Sequence, residues 1–154
     1  MRAYRKALNV DPNNAIVFQY IGAALIKLGK NKEAVHNYKN AIYMDQTNAL
    51  AYYNLGVAFS MLGKNNEAVD SYKKAIEMDP TNALAYNNLG VALINLGSFD
   101  ETVTSYHKAI ELDHNVRNTY ENLKWLLLNK LKTAGRLAES VMFLEGIIAQ
   151  HPDN

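Results

Sequence analysis

"AYYNLG" at residues 51–56 returns as "AYNNLG" at residues 85–90, 34 residues later and with one letter changed. Each copy runs on through apolar residues to a second "LG", at 62–63 and 96–97. A fixed interval of this length is the signature of stacked repeats. Working outward, three units align without gaps at residues 15–48, 49–82 and 83–116. In the middle unit Leu55, Ala58, Phe59 and Leu62 fall at i, i+3, i+4 and i+7, which is one face of a helix. Beyond the glycine, Ala68, Tyr72, Ala75 and Ile76 form a second stripe, with Asp70, Ser71, Lys73, Lys74 and Glu77 opposite. Each unit is therefore expected to fold as two amphipathic helices packed antiparallel.

The punctuation agrees with that reading. Gly29, Gly63 and Gly97 stand where a first helix should end in a left-handed residue. "DPTN" at 79–82 should close the second helix, because Pro80 cannot continue it. Asn14, Asn48 and Asn82 then occupy N-cap positions for the next helix. The tyrosines keep the same beat, at 4, 38, 72 and 106 and again at 52, 86 and 120.

Composition narrows the function classes. The 154 residues suffice for one domain or a short array, and 49% hydrophobic content supplies a core. A net charge of +1 offers no basic patch for nucleic acid or an anionic membrane. Without cysteine there is no disulfide, thiolate metal site or cysteine nucleophile. No apolar run approaches the roughly 20 residues of a membrane span. "MRAYRKALNVDPNN" lacks the apolar stretch of a secretory signal, which points to a cytoplasmic setting.

The repeat resembles the tetratricopeptide repeat family, whose pattern is a large aromatic, Leu-Gly, an aromatic or apolar residue, Ala, an aromatic, Ala and Pro. The middle unit matches at Tyr52, Leu55-Gly56, Phe59, Ala68, Tyr72, Ala75 and Pro80. The first matches at Phe18, Ile21-Gly22, Leu25, Ala34, Tyr38 and Ala41; the third at Tyr86, Leu89-Gly90, Leu93, Tyr106 and Ala109. Departures are mild: Gln46 and His114 replace the proline, and Thr102 replaces an alanine. The ends are less regular. Residues 1–14 match only the second helix of a repeat, with Tyr4, Ala7 and Pro12 in register. Residues 117–154 restart the pattern at Tyr120 and Leu123, but Lys124 replaces the small glycine. Gly135 and Pro152 then fall four residues late, as one extra helical turn would require.

The resemblance implies an all-α, right-handed solenoid of antiparallel helix pairs, with the first helix of each pair lining the concave side. The expected buried set is Tyr52, Leu55, Gly56, Phe59, Ala68, Tyr72 and Ala75 with their equivalents. Four rows should then line the hollow. They are Tyr20, Asn54, Asn88 and Asn122; Gln19, Tyr53, Asn87 and Glu121; Ala23, Val57, Val91 and Trp125; and Ile16, Leu50, Leu84 and Asn118. A carboxamide both donates and accepts, so an asparagine row can hold the backbone of an extended peptide whatever its side chains. Similar rows occur in some groove-binding members of the family. The apolar rows beside it would take alternate side chains.

No catalytic constellation is visible. His36 and His107 fall at outward offsets of second helices, and His114 and His151 near unit ends, none at a metal-ligand spacing. "LGKNNE" is a helix-to-helix turn without a phosphate-binding glycine array. No enzyme activity, cofactor or metal is expected. Members of the family that clamp a C-terminal carboxylate carry several Lys and Arg on the concave helices. Here the matching offsets hold Gln19, Ala23, Asn54, Leu84 and Asn88. The expected function is a protein-interaction scaffold with a neutral, partly apolar groove for a partner peptide or helix. The alternative is self-assembly into a homo-oligomer through terminal surfaces, where Trp125 and Leu126-Leu127-Leu128 add apolar area.

Overall fold

The computed structural model describes residues 13–113 and 117–126, together with positions 11, 129, 142 and 146; of residues 117, 118 and 126 it describes the backbone alone. Among the described residues seven helices follow one another: α1 Ala15–Lys27, α2 Asn31–Met44, α3 Ala49–Met61, α4 Asn65–Met78, α5 Ala83–Leu96, α6 Phe99–Leu112 and α7 Arg117–Leu126. Among the described residues there is no strand. The fold is an all-α helical-repeat solenoid. The expected helix within residues 1–14, the extra turn after residue 126, and Leu127 and Leu128 of the expected terminal surface lie outside the described residues.

Local chemistry sets each boundary. The side-chain oxygens of Asn14, Asn48 and Asn82 accept from the backbone N–H of Val17, Ala51 and Ala85, at 3.1, 3.0 and 3.0 Å. Each bond satisfies one of the amides that a helix start leaves orphaned. The first helices end in Schellman motifs. At α3 the N–H of Lys64 reaches Phe59 O and that of Gly63 reaches Ser60 O, both at 3.0 Å, with Gly63 at φ 70°.

The second helix of the middle unit ends at Met78, capped by Asp79 directly before Pro80, as expected, but proline is not required for the turn. Asp79 and Asp45 cap the two helix ends alike, although Pro80 follows one and Gln46 the other. Asp45 Oδ1 accepts from the Thr47 backbone N–H and hydroxyl at 3.1 and 2.8 Å, and Asp79 does the same with Thr81 at 3.1 and 2.7 Å. The Thr47 hydroxyl and amide hold the Asp45 carboxyl below the ordinary carboxylate range. An Asp-x-Thr turn makes the corner, and proline is compatible with it.

Packing within each pair turns on one contact. Tyr38, Tyr72 and Tyr106, one on each second helix, are buried against Gly22, Gly56 and Gly90 of the first helix. Ala34, Ala51, Ala58, Ala68, Ala75 and Ala85 are buried where helices approach closely. Tyr52, expected in the core, is only half-buried. Each second helix lies between two successive first helices, and the first helices also touch in series: α1 meets α3, α3 meets α5, and α5 meets α7. On the outside, Lys73 of α4 and Glu101 of α6 pair at 3.0 Å, an exposed bridge contributing about 0–1 kcal/mol.

Two equivalent tyrosines differ in their hydroxyls. Tyr72 Oη bonds the Ser60 hydroxyl at 3.2 Å. In the next unit Ile94 occupies the place of Ser60, and Tyr106 Oη is buried without a hydrogen-bond partner. The same substitution should therefore act with opposite sign. Tyr106→Phe removes an orphaned polar atom and is expected to raise stability by about 1 kcal/mol, whereas Tyr72→Phe should cost about 0.5–1.5 kcal/mol. Denaturant midpoints of the two variants measure the difference.

Candidate functional site

The open face of the first helices carries a periodic row of exposed apolar residues. On each of these helices the positions i, i+4 and i+7 form one stripe. They are Ile16, Tyr20 and Ala23 on α1; Leu50, Asn54 and Val57 on α3; and Leu84, Asn88 and Val91 on α5. Ile16, Leu50 and Leu84 are 58%, 56% and 54% exposed, a row of large side chains left to solvent once per pair. Tyr20, Val91 and Trp125 are exposed as well. An apolar residue exposed singly needs no explanation, but a periodic line on consecutive helices does. These stripe positions hold no charged side chain. Lys27 comes at the end of α1, and Glu121 and Lys124 stand exposed on α7.

The polar members of the face are unequal. Asn54, Asn88 and Asn122 are each half-buried. Asn88 Nδ2 donates to Tyr53 Oη across the α3–α5 boundary at 3.1 Å. Tyr53 is itself half-buried, its ring 6.0 Å from that of Tyr72 and tilted by 50°. Burial raises its phenol above the ordinary tyrosine value, and the Asn88 bond opposes that shift. Asn87 departs from the expected row. It is 8% exposed, and its amide is used inside the array: Oδ1 accepts from Thr119 Oγ1 at 2.9 Å, and Nδ2 donates to Asn88 Oδ1 at 3.2 Å. Asn87 is thus a link between α5 and α7 and does not lie on the open face.

Sequence reasoning had no place for Thr119. Its offset carries Ala51 and Ala85 in the preceding units, and a hydroxyl replacing a buried alanine was the available signal. Nothing in the periodicity says that α7 brings this hydroxyl to Asn87.

Among the described residues the titratable groups gather at no second site. His36 is exposed, 3.4 Å from Asn40 Nδ2, and His107 Nδ1 lies 3.1 Å from Glu111 Oε1 one turn later on α6. Among the described residues no three His, Asp or Glu side chains gather as metal ligands would, and no helix is long and apolar enough to cross a membrane.

The repeat pattern and this architecture have close counterparts. A family model described as TPR repeat matches residues 22–63 and 61–97, and one described as tetratricopeptide repeat matches residues 83–116. No curated protein matches the sequence. Among solved structures, MamA is similar at 28% identity and a TM-score of 0.83, over 94% of this chain and 82% of that one. The first TPR of Spaghetti (RPAP3), solved bound to the HSP90 peptide SRMEEVD, is 25% identical with a TM-score of 0.70, over 71% of this chain and 87% of that one. The second TPR domain of human RPAP3, in complex with the HSP70 peptide SGPTIEEVD, is 26% identical with a TM-score of 0.70, over 71% and 92%.

Proposed function

The chain belongs to the tetratricopeptide repeat family, and we propose that it is a protein-interaction scaffold that receives an extended segment of a partner protein along the open face of α3, α5 and α7. The observation that supports this most is the periodic stripe: half-exposed Leu50, Leu84, Val91 and Trp125 alternating with Asn54, Asn88 and Asn122. Peptide complexes of the RPAP3 domains show that this kind of array holds peptides in relatives. Carboxamides match the donor and acceptor groups of an extended backbone, and the apolar row accepts its side chains. Helix axes about 8–10 Å apart put the outer two of the three helices about 16–20 Å apart, which about five or six extended residues cross at about 3.3 Å each.

The partner segment is neutral where it meets the stripe. Gln19, Ala23, Asn54, Leu84 and Asn88 offer no cation to a terminal carboxylate. A free C-terminus should therefore bind no more tightly than its amidated form.

The test uses linear peptides of about ten residues, selected from a random library on the wild-type chain. The double variant Asn54→Ala, Asn88→Ala should bind the selected peptide about 10–100-fold more weakly, two hydrogen bonds lost at roughly a factor of ten each. Because Asn88→Ala also removes the bonds to Asn87 and Tyr53, the thermal midpoint should fall by several degrees, while the helical signal of the folded state stays that of the wild type. Unchanged affinity, measured by titration calorimetry, would remove the open face as the binding site.

A further inference from the structure

The hydrogen bonds around Asn87 all run in one direction. Thr119 Oγ1 donates to Asn87 Oδ1, Asn87 Nδ2 donates to Asn88 Oδ1, and Asn88 Nδ2 donates to Tyr53 Oη. The chain crosses three successive first helices, from α7 through α5 to α3. At its end Tyr53 is an acceptor, so the phenol's own proton is not consumed and is left to be donated elsewhere. Among the described residues the Tyr53 hydroxyl makes no hydrogen bond besides this one. The ring cannot turn freely to find another, because it packs on the core beside Tyr72.

We propose that the Tyr53 hydroxyl donates to a main-chain carbonyl of the bound peptide at the α3–α5 boundary, and that Thr119 and Asn87 are positioning residues for that contact. The inference rests on the open face being the binding surface. A carbonyl is the fitting acceptor because an extended segment presents one at every residue, and because the neighbouring stripe holds no cation to offset a buried carboxylate. Bonds aligned head to tail polarise one another, so each donor upstream makes the terminal proton more acidic and its bond stronger. Thr119 fixes which way the Asn87 amide faces, Asn87 fixes Asn88, and Asn88 leaves Tyr53 only the donor role. The arrangement is particular to this place: Ala51 and Ala85 stand at the offset of Thr119 in the earlier units, so no such chain can start there. The coupling is reciprocal. A peptide bound at α3 and α5 should tighten α7, which it need not touch near Thr119.

The experiment measures the affinity of a library-selected peptide for the wild type and for Tyr53→Phe, Thr119→Val, the Tyr53→Phe/Thr119→Val double variant, Thr119→Ser and Asn54→Ala. Tyr53→Phe and Thr119→Val should each weaken binding about five- to tenfold, one neutral hydrogen bond or its polarisation lost. The double variant should bind no worse than Tyr53→Phe alone, and Thr119→Ser should restore wild-type affinity. At equal saturation, peptide should slow amide exchange around residue 119 more in the wild type than in Thr119→Val, while the directly contacted residues 122 and 125 are protected in both. Losses that multiply in the double variant, or wild-type affinity in Tyr53→Phe, would overturn the inference. Asn54 lies outside the chain of bonds and separates the two failures. If Asn54→Ala weakens binding while Tyr53→Phe does not, the open face stands and the relay falls. If neither weakens it, both fall. A merely structural Thr119 would lower thermal stability equally in Thr119→Val and its double variant, without the loss of additivity in binding.

Discussion

Gly56→Ala should destabilise the array by about 1–3 kcal/mol, the usual cost of forcing extra volume into a packed core. Helix propensity alone argues the other way, since alanine is better than glycine in a helix interior by about 1 kcal/mol. Space decides the sign. A Cβ on Gly56 would lie 2.6 Å from Tyr72 Cε1 and 2.7 Å from Cδ1. The ring is buried between the helices and has nowhere to swing, so α3 and α4 must move apart. Gly22 and Gly90 meet Tyr38 and Tyr106 in the same way, at 2.7 and 2.5 Å. Removing the phenol oxygen should give no relief, because the clashing atoms are ring carbons. Gly56→Ala combined with Tyr72→Leu should recover part of the loss, a coupling of the kind that contacting residues show. The turn glycines differ in cause. A Cβ on Gly63 meets nothing within 4 Å, but φ is 70°, so alanine there costs about 1–2 kcal/mol of backbone strain. Asparagine at position 63 should be tolerated better than alanine, while asparagine at position 56 should be worse. Urea midpoints of these variants check the account; a Gly56→Ala chain as stable as wild type would contradict it.

The second large effect is alkaline unfolding. Burial pushes the phenols of Tyr38 and Tyr72 up to about 12, and raises that of Tyr106 in the same way. At Tyr72 the Ser60 hydrogen bond opposes the shift and Tyr53 adds slightly to it. In the unfolded chain these groups ionise near pH 10. Between those values the native state holds protons that the unfolded state has released, so stability falls as pH rises. The stabilisation is complete below about pH 10 and is lost on going through 10 to 12. Each phenol accounts for about 2–3 kcal/mol when the loss is complete, and a domain commonly has only 5–15 kcal/mol in total. Helical circular dichroism should therefore collapse cooperatively in that window, together with tyrosinate absorbance. Tyr106→Phe removes one ionisable group and should move the midpoint upward. A helical signal that survives to pH 12 while the buried tyrosines ionise would contradict the packing described.

What the sequence made legible was whatever local rules determine. The helix pairs, the asparagine N-caps at 14, 48 and 82 and the left-handed glycines at 29, 63 and 97 all follow from short-range backbone chemistry. The exposed row at Ile16, Leu50 and Leu84 also followed, because a 34-residue period carries each residue to the same face. The end of the helix before Pro80 was legible because a helix breaker is conspicuous, while the Asp–Thr bonds shared by both turns are not. Asn87 was placed on the open face because Tyr53 and Gln19 share its offset. Its actual role depends on α7 bringing Thr119 against it, and a period cannot report a contact made by the residue that breaks the period.

The most direct test of the open face is to map the footprint of a library-selected peptide on the isotopically labelled chain by nuclear magnetic resonance. Shifts should concentrate at residues 50, 53, 54 and 57 of α3, at 84, 88 and 91 of α5, and at 122 and 125 of α7. A footprint centred on the outer helices α2, α4 and α6, with the stripe unperturbed, would contradict the account.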